Sequence, residues 1–221
     1  MNRQSQTRRR FLQSLGTGVA CLGAQSLWLP GAFAEQLTAT VRQTEGPFYP
    51  DRLPIDRDND LLIVDDSLTP ADGIAVHLHG RILDLRGRPL HGALVEIWQV
   101  DSKGVYLHSG SFGHARRDSH FQGYGRFETG SDGKYYFRTL RPVPYPGRTP
   151  HIHVAVSRPG QPRFTTQCYI RGEAQNLRDG LFTRIPAALR ETVLTDFVPR
   201  PESPLEQNAR FDIVLGLTPA G

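Results

Sequence analysis

Runs in which apolar and polar residues alternate recur along the chain, at 74–84, 92–100, 134–140, 151–157, 164–170 and 210–217. A period of two is the mark of half-buried strands, because successive side chains point to opposite faces. Explicit turn segments separate the runs, as in LRGRPLHG at 85–92 and TGSDGKYY at 129–136, where Gly, Pro and Asp supply the turn conformations. The spacing predicts an all-β fold, an antiparallel β-sandwich with long loops and at most one or two short helices. A helical pattern occurs around Pro186–Leu194, with Pro early and Ala, Leu and Arg after it. Residues 35–72 read as an extended lead-in rich in Pro and Asp. Residues 101–133 read as a long excursion between strands, and loops of that length tend to be functional.

Two of the alternating runs place histidines on one face. In TPHIHVAV (149–156), Ile152, Val154 and Val156 alternate with His151, His153 and Ala155. The two histidine backbones are then about 6–7 Å apart, a separation from which both rings can reach one metal ion. IAVHLHGRIL (74–83) has the same alternation with His77 and His79, so the pattern alone does not say which pair is chemical. The flanks differ. RPVPYPGRTPHIH (141–153) adds Tyr145, held between Pro144 and Pro146 with little conformational freedom, and Arg148 three residues before His151. Nothing comparable flanks His77 and His79, which are read as structural. DRDND (56–60) has aspartates at alternate positions but lacks the glycine and glutamate of a calcium loop, so it reads as a surface turn.

Composition changes the picture once the N-terminus is set aside. TRRRFLQ (7–13), a mostly apolar uncharged run from Ser14 to Pro30, and AFA (32–34) predict a twin-arginine export signal over 1–34, cleaved after Ala34. Residues 35–221 would then form a single domain outside the cytoplasm, periplasmic or extracellular. The signal carries four arginines and no acid, so 26 − 4 leaves 22 basic groups against 22 acidic ones, and the formal net charge falls from +4 to 0. That balance speaks against nucleic acid or an anionic membrane as partner. Cys21 leaves with the signal, and Cys168 alone forms no intrachain disulfide. No later stretch approaches the roughly 20 apolar residues of a membrane span.

The chain resembles the intradiol ring-cleavage dioxygenases, the family of protocatechuate 3,4-dioxygenase and catechol 1,2-dioxygenase. The resemblance runs through QTEGPFYP (43–50), GALVEIWQVDSKGVYLHSG (92–110), GSDGKYYFRTLRPVPYPGRTPHIHVAV (130–156), FTTQCYI (164–170) and FDIVL (211–215). It implies a non-haem Fe(III) cofactor held by Tyr106, Tyr145, His151 and His153. Arg148 would stabilise negative charge on the substrate, with Gln167 near it, and Pro47, Phe48 and Tyr49 would wall the pocket after Gly46. The chemistry of these residue types agrees: a phenol with a pKa of about 10 binds as phenolate only to a strongly polarising cation. Two phenolates and a hydroxide balance three positive charges, and neutral imidazoles complete the shell.

By the same resemblance, a small aromatic diol and O2 are the partners, the diol binds as a dianion, and Tyr145 accepts one of its protons. The product is a muconate-type diacid. Relatives range from dimers to large assemblies, so a homo-oligomer is compatible. The chain departs from the family at three points: five residues, 146–150, separate Tyr145 from His151 where relatives carry a longer loop, Gly147 follows Pro146, and Phe48 stands where one protocatechuate subunit has tyrosine. These departures imply an open pocket and favour catechol or a substituted catechol over protocatechuate, with hydroxyquinol also compatible. From a different class, the alternative is a secreted β-sandwich binding module whose histidines are structural or hold zinc or copper.

Overall fold

The six alternating runs supply six of the ten strands in the computed structural model, which describes residues 36–65 and 67–216. The expected export signal lies outside the described residues. Strands β1 (Ala75–Leu83), β4 (Lys134–Leu140), β8 (Phe197–Arg200), β9 (Ser203–Arg210) and β10 (Ile213–Val214) make one sheet. Strands β3 (Tyr124–Glu128), β2 (Leu94–Trp98), β5 (His151–Ser157), β6 (Phe164–Ile170) and β7 (Leu194–Thr195) make the other, in that order. Among the described residues, no helix is long and apolar enough to cross a membrane.

The inner faces of the two sheets share one core. Val76, Leu78 and Ile82 of β1 and Phe137 of β4 meet Val95 and Ile97 of β2, Ile152, Val154 and Val156 of β5, and Cys168 of β6. The turns at 85–92 and 129–136 are therefore corners between sheets rather than hairpins within one, since β1 pairs with β4 and β2 with β3 and β5. The other face of the second sheet is also buried, under the lead-in and the loops after β2 and β4. There Trp98, Tyr106, Tyr124 and Ala155 form a second apolar cluster.

The sheets are mixed, which corrects the expectation of a purely antiparallel sandwich. β1 runs parallel to β9 and β10, and β6 runs parallel to β7. Period-two alternation is blind to strand direction, and parallel partners arrive by long crossovers that leave no local signal. Only one α-helix, α1 (Gly180–Thr183), is present among the described residues, beside three 3-10 segments. The segment after Pro186 is one of these, wound over Ala187–Val193 with Val193 its buried residue. All three aspartates of the DRDND stretch accept the backbone N–H two residues on, and Asp60 also pairs with Arg138 of β4.

Candidate metal centre

The buried outer face of the second sheet carries a row of side chains fixed by register. Tyr124 pairs with Trp98, Trp98 with His153, and His153 with Gln167, across β3, β2, β5 and β6. In the next row His151 pairs with Tyr169. Strand alternation thus puts both imidazoles on this face while Ile152, Val154 and Val156 enter the core.

Tyr106 reaches the same face by a tight reversal after β2. Asp101 accepts the N–H groups of Lys103 and Val105 at 2.9 and 3.0 Å, and Ser111 Oγ accepts that of Tyr106 at 3.0 Å. The Tyr106 hydroxyl then stands 3.0 Å from His153 Nε2 and 3.4 Å from His151 Nε2, and the two Nε2 atoms are 3.2 Å apart. Tyr145 packs edge-on against Tyr106, with ring centroids 5.3 Å apart. Its position follows from the turn Tyr145-Pro146-Gly147-Arg148. Proline at the second place, glycine at the third with φ +81°, and Arg148 N donating to Tyr145 O at 2.9 Å are the features of a type II turn. A side chain at position 147 would be strained, so the backbone here demands glycine.

The donor set fits a metal ion. Thr149 O lies 2.7 Å from His151 Nδ1 and can only accept, so that nitrogen carries the proton and Nε2 presents its lone pair to the cluster. Burial, then the Arg148 cation, pushes His151 down to about 3, and burial, then His151, lowers His153 well below its ordinary value. Both rings are thus neutral, the form in which an imidazole can hold a metal ion. Burial and the Tyr145 phenol raise Tyr106 well above the ordinary phenol range, so it would ionise only where a bound cation displaced its proton. The three donor atoms form a triangle of 3.0, 3.2 and 3.4 Å. Three donor atoms this close together on one buried face could converge on a single ion. Among the described residues no three His, Cys, Asp or Glu side chains form a metal cluster, so the set depends on its phenols.

Residues 44–216 match the dioxygenase family model. The chain is 34% identical over 154 residues to the protocatechuate 3,4-dioxygenase beta chain of Burkholderia cepacia, covering 65% of each, and 33% identical over 152 residues to catechol 1,2-dioxygenase 1 of Acinetobacter lwoffii, covering 61% of this chain and 47% of that one. It therefore spans about half to two thirds of these relatives. The fold superposes on the dioxygenase domain of a dioxygenase–carbohydrate-binding fusion from Streptomyces sp. SirexAA-E with a TM-score of 0.64 and 31% identity, covering 82% of this chain and 100% of that one. The chain belongs to the intradiol ring-cleavage dioxygenase family. The purely antiparallel strand directions apart, the sandwich and the family expected from sequence are those found.

Arg148 is clamped on three sides. Nε donates to Asp179 at 2.8 Å, Nη2 to Gln167 Oε1 at 2.5 Å, and Nη1 to the Tyr145 hydroxyl at 3.3 Å. Burial alone would lower the guanidinium, but the Asp179 carboxylate and nearby phenols raise it, so the charge is permanent. Gln167 Oε1 also accepts from the Tyr169 hydroxyl at 2.9 Å. Phe48 stacks on Tyr106 at 5.0 Å and meets Tyr145 edge-on at 6.3 Å. Pro47 beside it is exposed. Tyr49 is set back from the ligands: it packs edge-on against Trp98 at 5.1 Å and donates to Glu96 at 2.8 Å. Gly46, at φ +73°, lets the lead-in backbone pass the His153 ring, whose Cε1 would lie 3.4 Å from an added Cβ.

His77 and His79 are elsewhere, on the first sheet. His77 bonds Tyr136 at 2.6 Å and Glu206 at 2.8 Å and contacts Arg200. His108 packs against Phe48 at 6.0 Å and accepts Gly110 N–H, while His114 contacts Leu107 O and His120 lies in the same loop.

Three supporting residues escaped sequence reasoning. Asp179 accepts from Arg148, Thr149 N–H, Leu181 N–H and Phe182 N–H at 2.8–3.1 Å and is 1% exposed. Its place before α1 is a legible N-cap; its bond to Arg148 is not. Trp98 lies flat on His153, with centroids 4.8 Å apart and 8° between planes, and so holds a ring whose Nδ1 has no hydrogen-bond partner among the described residues. Glu96, an acid inside LVEIW, accepts from Tyr49 and Tyr124 and pairs with Arg163 at 3.0 Å.

Proposed function

We propose that this chain is a non-haem Fe(III) intradiol dioxygenase that opens a catechol-type ring between its two hydroxylated carbons, with both atoms of O2 entering a muconate-type diacid. The observation that carries this is the meeting of Tyr106, His151 and His153 within 3.0–3.4 Å on a buried sheet face, with Tyr145 beside them. Two phenols and two neutral imidazoles suit a hard trivalent ion better than zinc or copper, which speaks against the binding-module reading. When bound, the iron supplies the positive charge that favours the doubly deprotonated diol and the redox centre at which ring and O2 exchange electrons.

The residues divide the remaining work. Tyr106, His151 and His153 are buried and fixed by register or by tight turns, and they are the permanent ligands. Tyr145 is half-buried on a turn, and its phenolate would be the displaceable ligand and the base for a substrate proton. Arg148 holds its Nη1 toward that oxygen, so a fixed cation sits where charge develops on the substrate, an interaction strongest in the transition state. Phe48, stacked on Tyr106, is a wall that excludes water. Phe48 and Gly147 support catechol or a substituted catechol rather than protocatechuate.

The purified protein tests this directly: phenolate-to-iron charge transfer should colour it red-brown, metal analysis should give iron, and catechol should consume one O2 per diacid formed. A colourless, iron-free or zinc-loaded protein that leaves catechol intact would overturn it. The twin arginines support export of the already folded protein, since ligands spread over residues 106–153 gather only in the fold. Replacing Arg8 and Arg9 with Lys should leave the protein in the cytoplasm, and unimpaired export would refute this.

A further inference from the structure

A cleft of about 240 Å³ opens beside the candidate centre, lined by Tyr145, Gly147, Arg148, Gln175, Arg178 and Asp179 among others. It shares Tyr145 and Arg148 with the site, so it adjoins the place proposed for the diol. The short 146–150 segment keeps it open: nothing lies within 4 Å of where a Gly147 Cβ would stand. The far wall is the 3-10 segment Ala174–Arg178, whose last residue is Arg178.

The charges of this cleft are unevenly spent. Asp179 is consumed by Arg148 and three backbone N–H groups. Glu173, at the start of the same segment, accepts Gln175 N–H. The Arg178 guanidinium and the Gln175 carboxamide, both exposed, have no hydrogen bond or ion pair with any described residue. A planar cation and an amide donor therefore line an open space whose one acid, Asp179, is already paired with Arg148. Guanidinium is the group that matches a carboxylate with two parallel bonds.

We propose that this cleft is a subsite for the carboxylate at the end of a side chain carried by the catechol ring, with Arg178 as its specificity-determining cation and Gln175 as a second donor. The proposal rests on the diol reading above. A ring bound at the centre would extend such a chain past Gly147 toward Arg178.

The test compares two rings of equal length, 3-(3,4-dihydroxyphenyl)propionate and its neutral amide, in the wild type and in Arg178→Gln. Wild-type enzyme should favour the carboxylate in kcat/KM by roughly five-fold, the size of a well-placed but solvent-exposed ion pair. In Arg178→Gln that ratio should fall to about one, and Arg178→Lys should retain part of it. A wild-type ratio near one, or a ratio unchanged in Arg178→Gln, would overturn the subsite. Calorimetry of 3-phenylpropionate, which has no diol, on the same two proteins reads the subsite without turnover: binding should weaken about five-fold in Arg178→Gln and lose its salt dependence, and equal binding would refute it. Failure of iron-loaded wild type to cleave catechol itself would instead count against the dioxygenase reading.

Discussion

Asp179 is the residue on which the pose of Arg148 depends, and replacing it should separate positioning from folding. Its two oxygens accept four hydrogen bonds, Oδ2 from Arg148 Nε and Thr149 N and Oδ1 from Leu181 N and Phe182 N. The ion pair is well shielded, with side-chain exposures of 16% for Arg148 and 0% for Asp179. Alanine would strand a shielded cation and a buried N–H and remove the α1 cap, which costs about 3–5 kcal/mol. Against a typical total stability of about 5–15 kcal/mol, that variant risks unfolding. Asparagine is the cleaner probe: either orientation turns an NH2 toward two donors and removes the charge, costing about 2–3 kcal/mol.

Of the two tryptophans, Trp28 lies in the first 34 residues, so urea unfolding of protein starting at Glu35 is read by Trp98 alone. Turnover of Asp179→Asn should fall about ten- to a hundred-fold with iron content kept, as for residues that orient functional groups from behind. Burial raises the Asp179 carboxyl, but Thr149 N–H, Arg148 and Phe182 N–H outweigh it and hold it below its ordinary value. A folded pKa below the unfolded one means the stabilisation is complete above about pH 4 and is lost as pH falls through the folded value. Asp179→Asn should lack that acid-side loss. If it unfolded within about 0.5 kcal/mol of wild type and turned over normally, Arg148 would owe its pose to something else.

Other residues give sharper contrasts. Arg148→Lys should keep iron and colour but lose about a hundred- to a thousand-fold in turnover, because an ammonium cannot serve Asp179, Gln167 and Tyr145 at once; iron analysis beside steady-state kinetics checks it. His151→Ala should lose iron and colour together while His77→Ala, in its Tyr136 and Glu206 network on the first sheet, keeps both. In metal-free protein, His151 is pushed down to about 3 and His153 well below its ordinary value, chiefly by burial. The unfolded chain then binds protons from about pH 6.5 that the folded chain refuses, so urea stability should decline as pH drops from 6.5 toward 3; a flat profile across that range would contradict buried neutral imidazoles.

Local pattern carried much of this centre. Alternation in TPHIHVAV placed His151 and His153 on one face opposite Ile152, Val154 and Val156, because the side-chain period of a strand is two whatever surrounds it. The Pro146-Gly147 pair set the turn that returns Arg148 to Tyr145, because ring closure and a missing Cβ restrict φ locally. What local pattern could not carry was anything joining distant segments. The parallel directions of β7, β9 and β10 depend on crossovers. The polar strand β9, SPLEQNAR, lies largely on the surface and lacks the apolar alternation by which strands are found. Only the fold brings Tyr106 to a histidine 45 residues on and Asp179 to an arginine 31 residues back. Such pairings are decided by the register of whole sheets and by which loops close over the outer face, and a short window of sequence contains neither.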